Sequence, residues 1–480
     1  MAEFSGLELT ALGDPSRAWD IARRAEARVP AYRGLLRSAG RDRLPAAWAD
    51  LPRPDKKNYL LAHGFADLLA DDFADTFTIF SSSGSSGRAF YWPQLKGGQR
   101  EAAGKLGQLL EGVFRIHERR TLAVVGLALG SWIGGEHFSW VLKSHAAAAP
   151  YPFAVFSPGN HHDEIIAMIE SAGRFVDQII LFCCPSAIAH LRLRAEQAGR
   201  PLPLAKLRYV VIGEPFPESV RLELNAAAGL PPGEPAMISI FGSADTGVLG
   251  FESPASAWLR GRCEQDAGLA AALGFGGVVP HLFHQADPAA FLEVVDGELA
   301  VTKWQGVPLV RYNLHDAARL LSWPALLRRA AAHAPTNPLF TRAEVIGLPD
   351  VLAVTGRADS CLLLCGTNLT ESMLDAAVRA PELGPWLTGN YRARVILERG
   401  RQRLAFTLER RAGAPADRAE IYAGLVAALG RAQPEFKDDW EKIYRRWDDD
   451  PALSILALEL VDWPALAEEA GRIKQRGIRP

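Results

Sequence analysis

Cysteine is scarce: five residues in a chain of 480, too few for a disulfide scaffold. Cys183 and Cys184 are adjacent inside an apolar run and read as core. Cys361 and Cys365 flank three leucines. As half of a metal site this pair lacks its other half, so it too reads as core. A reducing, cytoplasmic setting is expected. An excess of one charge is also missing. The 53 basic and 55 acidic residues leave a formal charge of -2, which gives no electrostatic reason to expect nucleic acid or an anionic membrane. No apolar run reaches the length of a membrane span; the longest candidates, such as Thr121–Gly130, are strand-sized. Met1–Thr10 lacks the basic-then-apolar pattern of a secretory signal. Internal repeats, low-complexity tracts and the Gly-Lys-Ser/Thr of a P-loop are absent too.

What remains is a folded chain of ordinary composition, 48% hydrophobic and 22% charged. One core rarely grows past ~250–300 residues, so at least two domains are expected. Residues 1–75 carry helical periodicity around Trp19–Ala27, broken at Leu51-Pro52-Arg53-Pro54. Strand and helix patterns then alternate. Strands are expected at Phe77–Phe80, Thr121–Gly130, Asp177–Cys184, Leu207–Ile212 and Ala236–Phe241. Helices are expected at 98–114, Asp163–Ala172, Pro185–Ala198 and Pro217–Ala228. Such alternation with continuous apolar strands predicts an α/β layer structure on a largely parallel sheet. Short strands at Phe291–Val295, Glu298–Val301 and Pro308–Tyr312 predict a β-rich subdomain, followed by a helix over Ala325–Pro335. Tyr391–Glu398 and Arg403–Leu408 pair as a hairpin around Arg399-Gly400, before a helix at Pro415–Leu429 and a strand at Ser454–Leu460. This last part reads as a small separate α+β domain.

The stretch richest in chemistry is Ser81-Ser82-Ser83-Gly84-Ser85-Ser86-Gly87-Arg88. Small residues after a strand let backbone N–H groups approach a phosphate closely, hydroxyls add donors, and Arg88 adds fixed charge. The bland alternative, a flexible Ser/Gly linker, fits less well between structured segments. Four later segments follow in order: Ile212-Gly213-Glu214-Pro215, Phe241-Gly242-Ser243-Ala244-Asp245, Arg311-Tyr312-Asn313-Leu314-His315-Asp316, and Gly356-Arg357-Ala358-Asp359 with Leu364-Cys365-Gly366-Thr367-Asn368. Each alone has a mundane reading as a common turn, a solvated loop acid or a surface ion pair.

Together, and in this order, these segments resemble the adenylate-forming superfamily, specifically its phenylacetate–CoA ligase-like branch. The resemblance implies that the Ser/Gly loop binds phosphates, with Arg88 where lysine is usual. It implies that Gly213-Glu214-Pro215 lies against adenine and that Phe241 stacks nearby, within a segment that includes Gly242, Ser243 and Ala244. Asp245, one methylene shorter than the usual glutamate, would hold magnesium. Asp316 would accept from the ribose hydroxyls, with His315 replacing a glycine. Arg357 would approach ribose or phosphate, and Asp359 would be a hinge. The family's C-terminal catalytic lysine falls to Lys474; Arg472 holds the position after Gly471 where lysine is expected. The segment also reads as a plain basic tail.

Two anions must meet when a carboxylate attacks the α-phosphate of ATP, so the family's chemistry calls for cations and backbone donors. Magnesium on Asp245 would bridge phosphate oxygens. Coenzyme A is implied to enter near Cys365–Asn368 once the C-terminal part has swung about Asp359. Trp132, Gly134, Gly135 and Phe138, with Ile133, Phe156 and Ile240, are candidates for the acid pocket, although all but Trp132 read first as simple core. Glycines beside aromatics leave room for a flat ring, which favours an aryl or arylacetic acid. His161-His162 reads as a turn before a helix, and His281 with His284 as a weak zinc candidate.

The expected fold is therefore α/β, with a large multi-layer N-terminal domain carrying a β-rich subdomain and a small α+β C-terminal domain. The boundaries are 1–75 for an N-terminal helical segment, 76–358 for the ATP- and acid-binding body and 359–480 for a mobile C-terminal domain. The expected function is ATP- and magnesium-dependent activation of a carboxylic acid to acyl-AMP, then transfer to coenzyme A. One rival passes the acyl group to an amine, a hydroxyl or a carrier-protein thiol. Another is a nucleotide-binding protein that has lost catalysis. A homodimer is what the resemblance suggests.

Overall fold

A computed structural model of the chain describes residues 6–70, 75–81, 90–231, 234–276, 278–333, 343–357, 361–411, 413, 417–463 and 465–466. Its centre is a twelve-stranded sheet. Strands Phe153–Phe156, Thr121–Val125, Gln178–Cys183, Leu207–Ile212 and Met237–Ser243 lie side by side in parallel. Alternation along them sorts side chains to two faces. Leu122, Val124, Ile179 and Leu181 meet Ile165 and Ile169 of the helix His162–Ala172 and Leu191 of Pro185–Gln197. Ala123, Val125, Ile180 and Phe182 meet Leu106 and Leu110 of Lys96–Phe114, and Phe138 and Val141 of Ile133–Ala148. Both faces are covered, which is why Thr121–Val125 and Gln178–Cys183 are buried along their whole length.

The sheet does not end where the parallel part ends. It turns back at Ala244–Thr246 into Gly247–Phe251 and runs on antiparallel through His281–Gln285, Val351–Arg357, Leu309–Leu321, Glu298–Lys303 and Phe291–Val295 to Ala11–Leu12. The β-rich stretch is thus a continuation of the same sheet rather than a detached unit. The N-terminal helix Pro15–Arg28 packs on this half. Asp14 caps it by accepting from the Ser16 N–H. Its buried Ile21, Ala22 and Ala25 meet Leu299, Val301 and Leu309.

The small C-terminal domain has its own core. Leu387–Glu398 and Arg401–Arg410 form a hairpin, with Leu456–Asp462 parallel to the second strand. Leu404, Phe406 and Leu408 pack on Leu425 and Leu429 of the helix Arg418–Ala432. The hairpin closes on Arg399 and Gly400, both at positive φ (50° and 75°), the twist a two-residue turn requires.

The strand expected at Pro308–Tyr312 runs on as Leu309–Leu321 and the helix expected at Ala325–Pro335 is Trp323–His333; three further differences have physical reasons. The strand from Thr121 stops at Val125, because the chain leaves the sheet at Gly126 to enter the edge loop. The helix expected from Pro415 begins at Arg418, where Asp417 supplies the N-cap; Pro415 itself lies outside the described residues. The helix Ile133–Ala148 was not foreseen at all. Its mixed apolar surround, buried on one side and lining a cleft on the other, masks a helical period.

Candidate functional site at the carboxyl edge of the sheet

Ligands of open α/β sheets bind outside the carboxyl ends of the parallel strands. Two of the predicted segments lie at that edge, and a third is joined to it through Tyr312. Gly213, Glu214 and Pro215 follow the strand Leu207–Ile212. Gly213 sits at φ +92°, conformationally natural only for glycine, and Glu214 is buried. Phe241, Gly242, Ser243, Ala244 and Asp245 run from the next strand into the hairpin turn. Phe241 stacks on Phe283 with ring centroids 5.3 Å apart, so one of its faces is committed to core. Gly242 is needed because a Cβ there would lie 2.4 Å from the Gly247 carbonyl oxygen.

Asp245 is half-buried at the turn. Its carboxylate Oδ2 accepts from the Tyr312 hydroxyl at 2.6 Å, and its carbonyl accepts from Gln305 Nε2 at 2.6 Å. Burial, with Asp245 alongside, raises the Tyr312 phenol well above its ordinary value, so it remains a donor at neutral pH. Asp316 and Arg357 are direct register partners on the antiparallel strands Leu309–Leu321 and Val351–Arg357. His315, which stands where the family has glycine, adopts φ +59°. The left-handed backbone is therefore retained without glycine. It is held by Asn313 Oδ1, which accepts from the His315 N–H at 3.0 Å, and by Glu298 and Asp55 at 3.2 and 3.5 Å from the imidazole. Arg311 of the same motif is structural: it is buried, ion-paired with Glu293 at 2.9 Å and bonded to three backbone carbonyls.

Of the Ser/Gly loop, Ser81 is described; Ser82, Ser83, Gly84, Ser85, Ser86, Gly87 and Arg88 lie outside the described residues, as do Asp359, Arg472 and Lys474. Ser81 is buried, and its N–H donates to the Ser131 carbonyl at 2.7 Å, beside Trp132. The start of the loop is thereby fixed to the entrance of the helix Ile133–Ala148.

The acid-pocket candidates divide. Phe138 and Ile240 line a cleft of about 1270 Å³ together with Leu106, Val141, Val248 and Phe251. Gly135 does not make room for a substrate. A Cβ there would lie 2.1 Å from the Ala128 carbonyl oxygen, so this glycine lets the helix start pack on the edge loop. Gly134 faces open space. Trp132 is half-buried beside Ser81 and is not among the residues lining this cleft. Sequence reasoning missed two polar residues on the cleft wall, His137 and Lys303. Burial, with Lys303 nearby, lowers His137 to about 4, so its imidazole is neutral at pH 7. Lys303 pairs with Asp287 at 3.0 Å and donates to the Thr246 carbonyl at 2.9 Å. A histidine one residue before Phe138 was the available signal.

Other candidates resolve as structural. His284 is buried between Ser253 Oγ and the Pro349 carbonyl, at 2.9 and 2.7 Å. His281 lies 3.6 Å from Glu252. His162 opens its helix and is buried. No group of three or more histidine, cysteine or acidic side chains among the described residues is arranged to hold a metal by itself. No described helix is long and apolar enough to cross a membrane. Cys183 is core as expected. Cys184 is partly buried and packs against the core, at the edge facing the C-terminal domain, where a Cβ on Gly366 would come within 3.1 Å of its sulfur.

No protein-family model matches the chain, and no curated protein matches it. Solved structures do. 2-Hydroxyisobutyryl-CoA ligase, in complex with 2-HIB-AMP and CoA in its thioesterification state, is 17% identical and superposes with a TM-score of 0.63 over 97% of this chain and 88% of its own. The same enzyme in an open conformation, at 16% identity, gives 0.52 over 97% and 90%. In its postadenylation state with R3-HIB-AMP it gives 0.52 over 97% and 87%, again at 16% identity. The chain thus shares the fold of this ligase, body and C-terminal domain included.

Proposed function

We propose that this chain activates a carboxylic acid with ATP and then transfers the acyl group to coenzyme A. In the first step a carboxylate oxygen bonds to the α-phosphorus of ATP while the bond to pyrophosphate breaks. In the second a thiol sulfur bonds to the acyl carbon, AMP leaves and the thiol proton passes to solvent or a base. The observation that carries this reading is the bond from Tyr312, four residues before Asp316 on one strand, to Asp245, beside the parallel strand that leads into Gly213–Pro215. The fold in which these segments sit is shared with a ligase whose structure holds 2-HIB-AMP and CoA.

Each group has a task. Backbone N–H groups at Gly213 and in the Ser81–Arg88 loop suit adenine and phosphates respectively. Asp316 suits the ribose hydroxyls, and Arg357 the neighbouring anion. Asp245 fits magnesium: Tyr312 takes one carboxylate oxygen, and Asp245 is only half-buried. Magnesium is commonly held by one or two carboxylates plus substrate phosphates. Bound there, it would neutralise phosphate charge. The apolar cleft wall of Leu106, Phe138, Val141, Ile240 and Phe251 supports an apolar acid, aryl or arylacetic in the first instance. His137 and Lys303 would supply a neutral donor and a cation at that wall. We assign the C-terminal cation to Lys474, with Arg472 as the other candidate. We place the domain boundaries near 75 and 358 with the hinge at Asp359, and the chain in the phenylacetate–CoA ligase-like branch.

The test is carboxylate-dependent exchange of labelled pyrophosphate into ATP, with magnesium, across aryl, arylacetic and fatty acids. Exchange with some acids establishes acyl-AMP formation and names the substrate class. Absence of exchange with every acid, in protein that still binds ATP, overturns the reading. Supplying coenzyme A, amines or alcohols to the active acid then identifies the acceptor.

A further inference from the structure

Asp439 ends the short helix Pro434–Asp439 of the C-terminal domain. Its two carboxylate oxygens serve different partners. Oδ1 accepts from Asn160 Nδ2 at 3.0 Å, and Oδ2 accepts from Thr367 Oγ1 at 3.4 Å. Asn160 belongs to the body; it is buried on the turn that leads into the helix His162–Ala172. Thr367 begins the strand Thr367–Thr370 and directly follows the turn at Cys365 and Gly366. Cys365 and Gly366 both have positive φ, 49° and 87°. This turn touches the body at its functional edge: a Cβ on Gly213 would meet Cys184 Sγ at 3.8 Å and the Gly366 Cα at 4.0 Å. One carboxylate thus bonds both the body and the turn that lies over the adenine-side segment.

The surrounding interface is built to receive the same docking. His190, on the body helix Pro185–Gln197, stacks on Trp447 with centroids 5.2 Å apart and planes 22° from parallel. Tyr444 lies 5.4 Å from the same ring. Trp447 Nε1 donates to Gln197 Oε1 at 3.3 Å, and Arg446 lies 3.6 Å from Asp163. The arrangement superposes better on the ligase in its thioesterification state, at a TM-score of 0.63, than on the same ligase open or after adenylation, at 0.52 each.

We propose that Asp439 is a positioning residue for the second half-reaction, holding the turn Cys365–Thr367 against Gly213 by bonding Thr367 and Asn160 together. The inference rests on the function proposed above, because it concerns the thioester step. It predicts that the adenylation step is indifferent to Asp439.

The site's charge environment adds a signature. Burial, and then Asp438, raise the Asp439 carboxyl to about 7, against the lowering effect of Asn160, Thr367 and Lys442. The other titratable groups facing it are Cys184 from the body and Tyr444 from the C-terminal domain, both of which also feel Glu214 and Cys365. Released to water, the carboxyl would return to about 3.9. The docked form therefore binds a proton that the released form does not, between those two values. Docking weakens as pH rises from about 4 to about 7 and levels off above it. An amide at 439 removes the titration.

The experiment uses the full chain and the acid that gives most exchange. Pyrophosphate exchange reads adenylation, single-turnover transfer of enzyme-bound acyl-AMP to coenzyme A reads the second step, and peptide-resolved alkylation of Cys184 by iodoacetamide reads release of the domain. Asp439→Ala and Asn160→Ala, one from each side, are each expected to slow transfer about tenfold. They should speed Cys184 alkylation by a similar factor and leave exchange unchanged. Asp439→Asn is expected to retain transfer and to lose its dependence on pH below neutrality. Equal loss of exchange and transfer in both alanine variants would mean a general structural role and overturn the proposal. So would unchanged transfer and alkylation. If the wild type shows no exchange with any acid, the functional reading fails, and the alkylation rates alone still decide whether Asp439 holds the domain.

Discussion

Tyr312 donates its phenolic hydrogen to Oδ2 of Asp245 across 2.6 Å, joining an antiparallel strand to the hairpin turn at the end of the parallel ones. The hydroxyl comes from a side chain that is 1% exposed, so it orients the carboxylate from within the core. Tyr312→Phe removes the donor and leaves the ring. A hydrogen bond to a charged group is worth about 1.5–3 kcal/mol. The magnesium concentration for half-maximal pyrophosphate exchange should therefore rise about tenfold or more, with ATP binding in the absence of metal unchanged. Titrating exchange against magnesium checks it; an unchanged midpoint would count against a metal role for Asp245.

The two glycines at the start of the helix Ile133–Ala148 should separate cleanly. Gly135→Ala forces a methyl group against the Leu127–Ala128 backbone, with contacts of 2.1 and 2.7 Å. Overpacking of this kind costs about 1–3 kcal/mol, seen as a lower thermal midpoint for every substrate condition. Gly134→Ala meets nothing within 4 Å. It should leave stability level or raise it by up to about 1 kcal/mol. A loss of acid selectivity without loss of stability in Gly135→Ala would restore the pocket reading.

Behind the Gly213–Pro215 segment lies a buried ionic group. Arg221 contacts Glu252 at 2.7 Å and Glu218 at 3.2 Å, Arg260 pairs with Glu218, and the Ser239 N–H donates to Glu252 at 2.8 Å. Burial opposes ionisation of Glu252, but Arg221 foremost, with His281 and Arg260, brings it down to about 2. A carboxyl with a lowered native value contributes stability above its unfolded value. That stability is lost as pH falls from about 4.5 toward 2. Glu252→Gln strands Arg221 in the core and should cost about 3–5 kcal/mol at neutral pH. It should also flatten the acid limb of a stability–pH curve between about pH 5 and pH 3. Denaturant midpoints across that range decide it.

How much of this was legible beforehand varies with the range of the interaction. Gln178–Cys183 and Leu207–Ile212 announce themselves because strands covered on both faces must be apolar throughout, and that signal is local. Asp245, Asp316 and Gly213 were singled out by the order of their motifs. The Asp316–Arg357 register was not, because it depends on strands about forty residues apart. His315 looked like a departure from pattern, yet the backbone it occupies is the one a glycine would take, secured by Glu298 and Asp55 from elsewhere in the chain. Gly135 misled because glycine beside tryptophan and phenylalanine looks the same whether it spares space for a ligand or for another piece of backbone. Asp439 gave no signal at all. An aspartate in a run of charged residues is ordinarily solvated, and its bonds to Asn160 and Thr367 join residues far apart in the chain.

The meeting of Gly213 and Gly366 at Cys184 has a mechanical consequence. Gly213 and Gly366 face one another without side chains, both at positive φ, 92° and 87°, and the sulfur of Cys184 lies against both. Cys184 has ordinary extended backbone, φ -72° and ψ 147°, and so can accept other side chains without strain. It is the adjustable shim of the joint. Trimming it to alanine lets the halves settle closer, and lengthening it through valine to leucine holds them apart by graded steps, with no charge on either face altered.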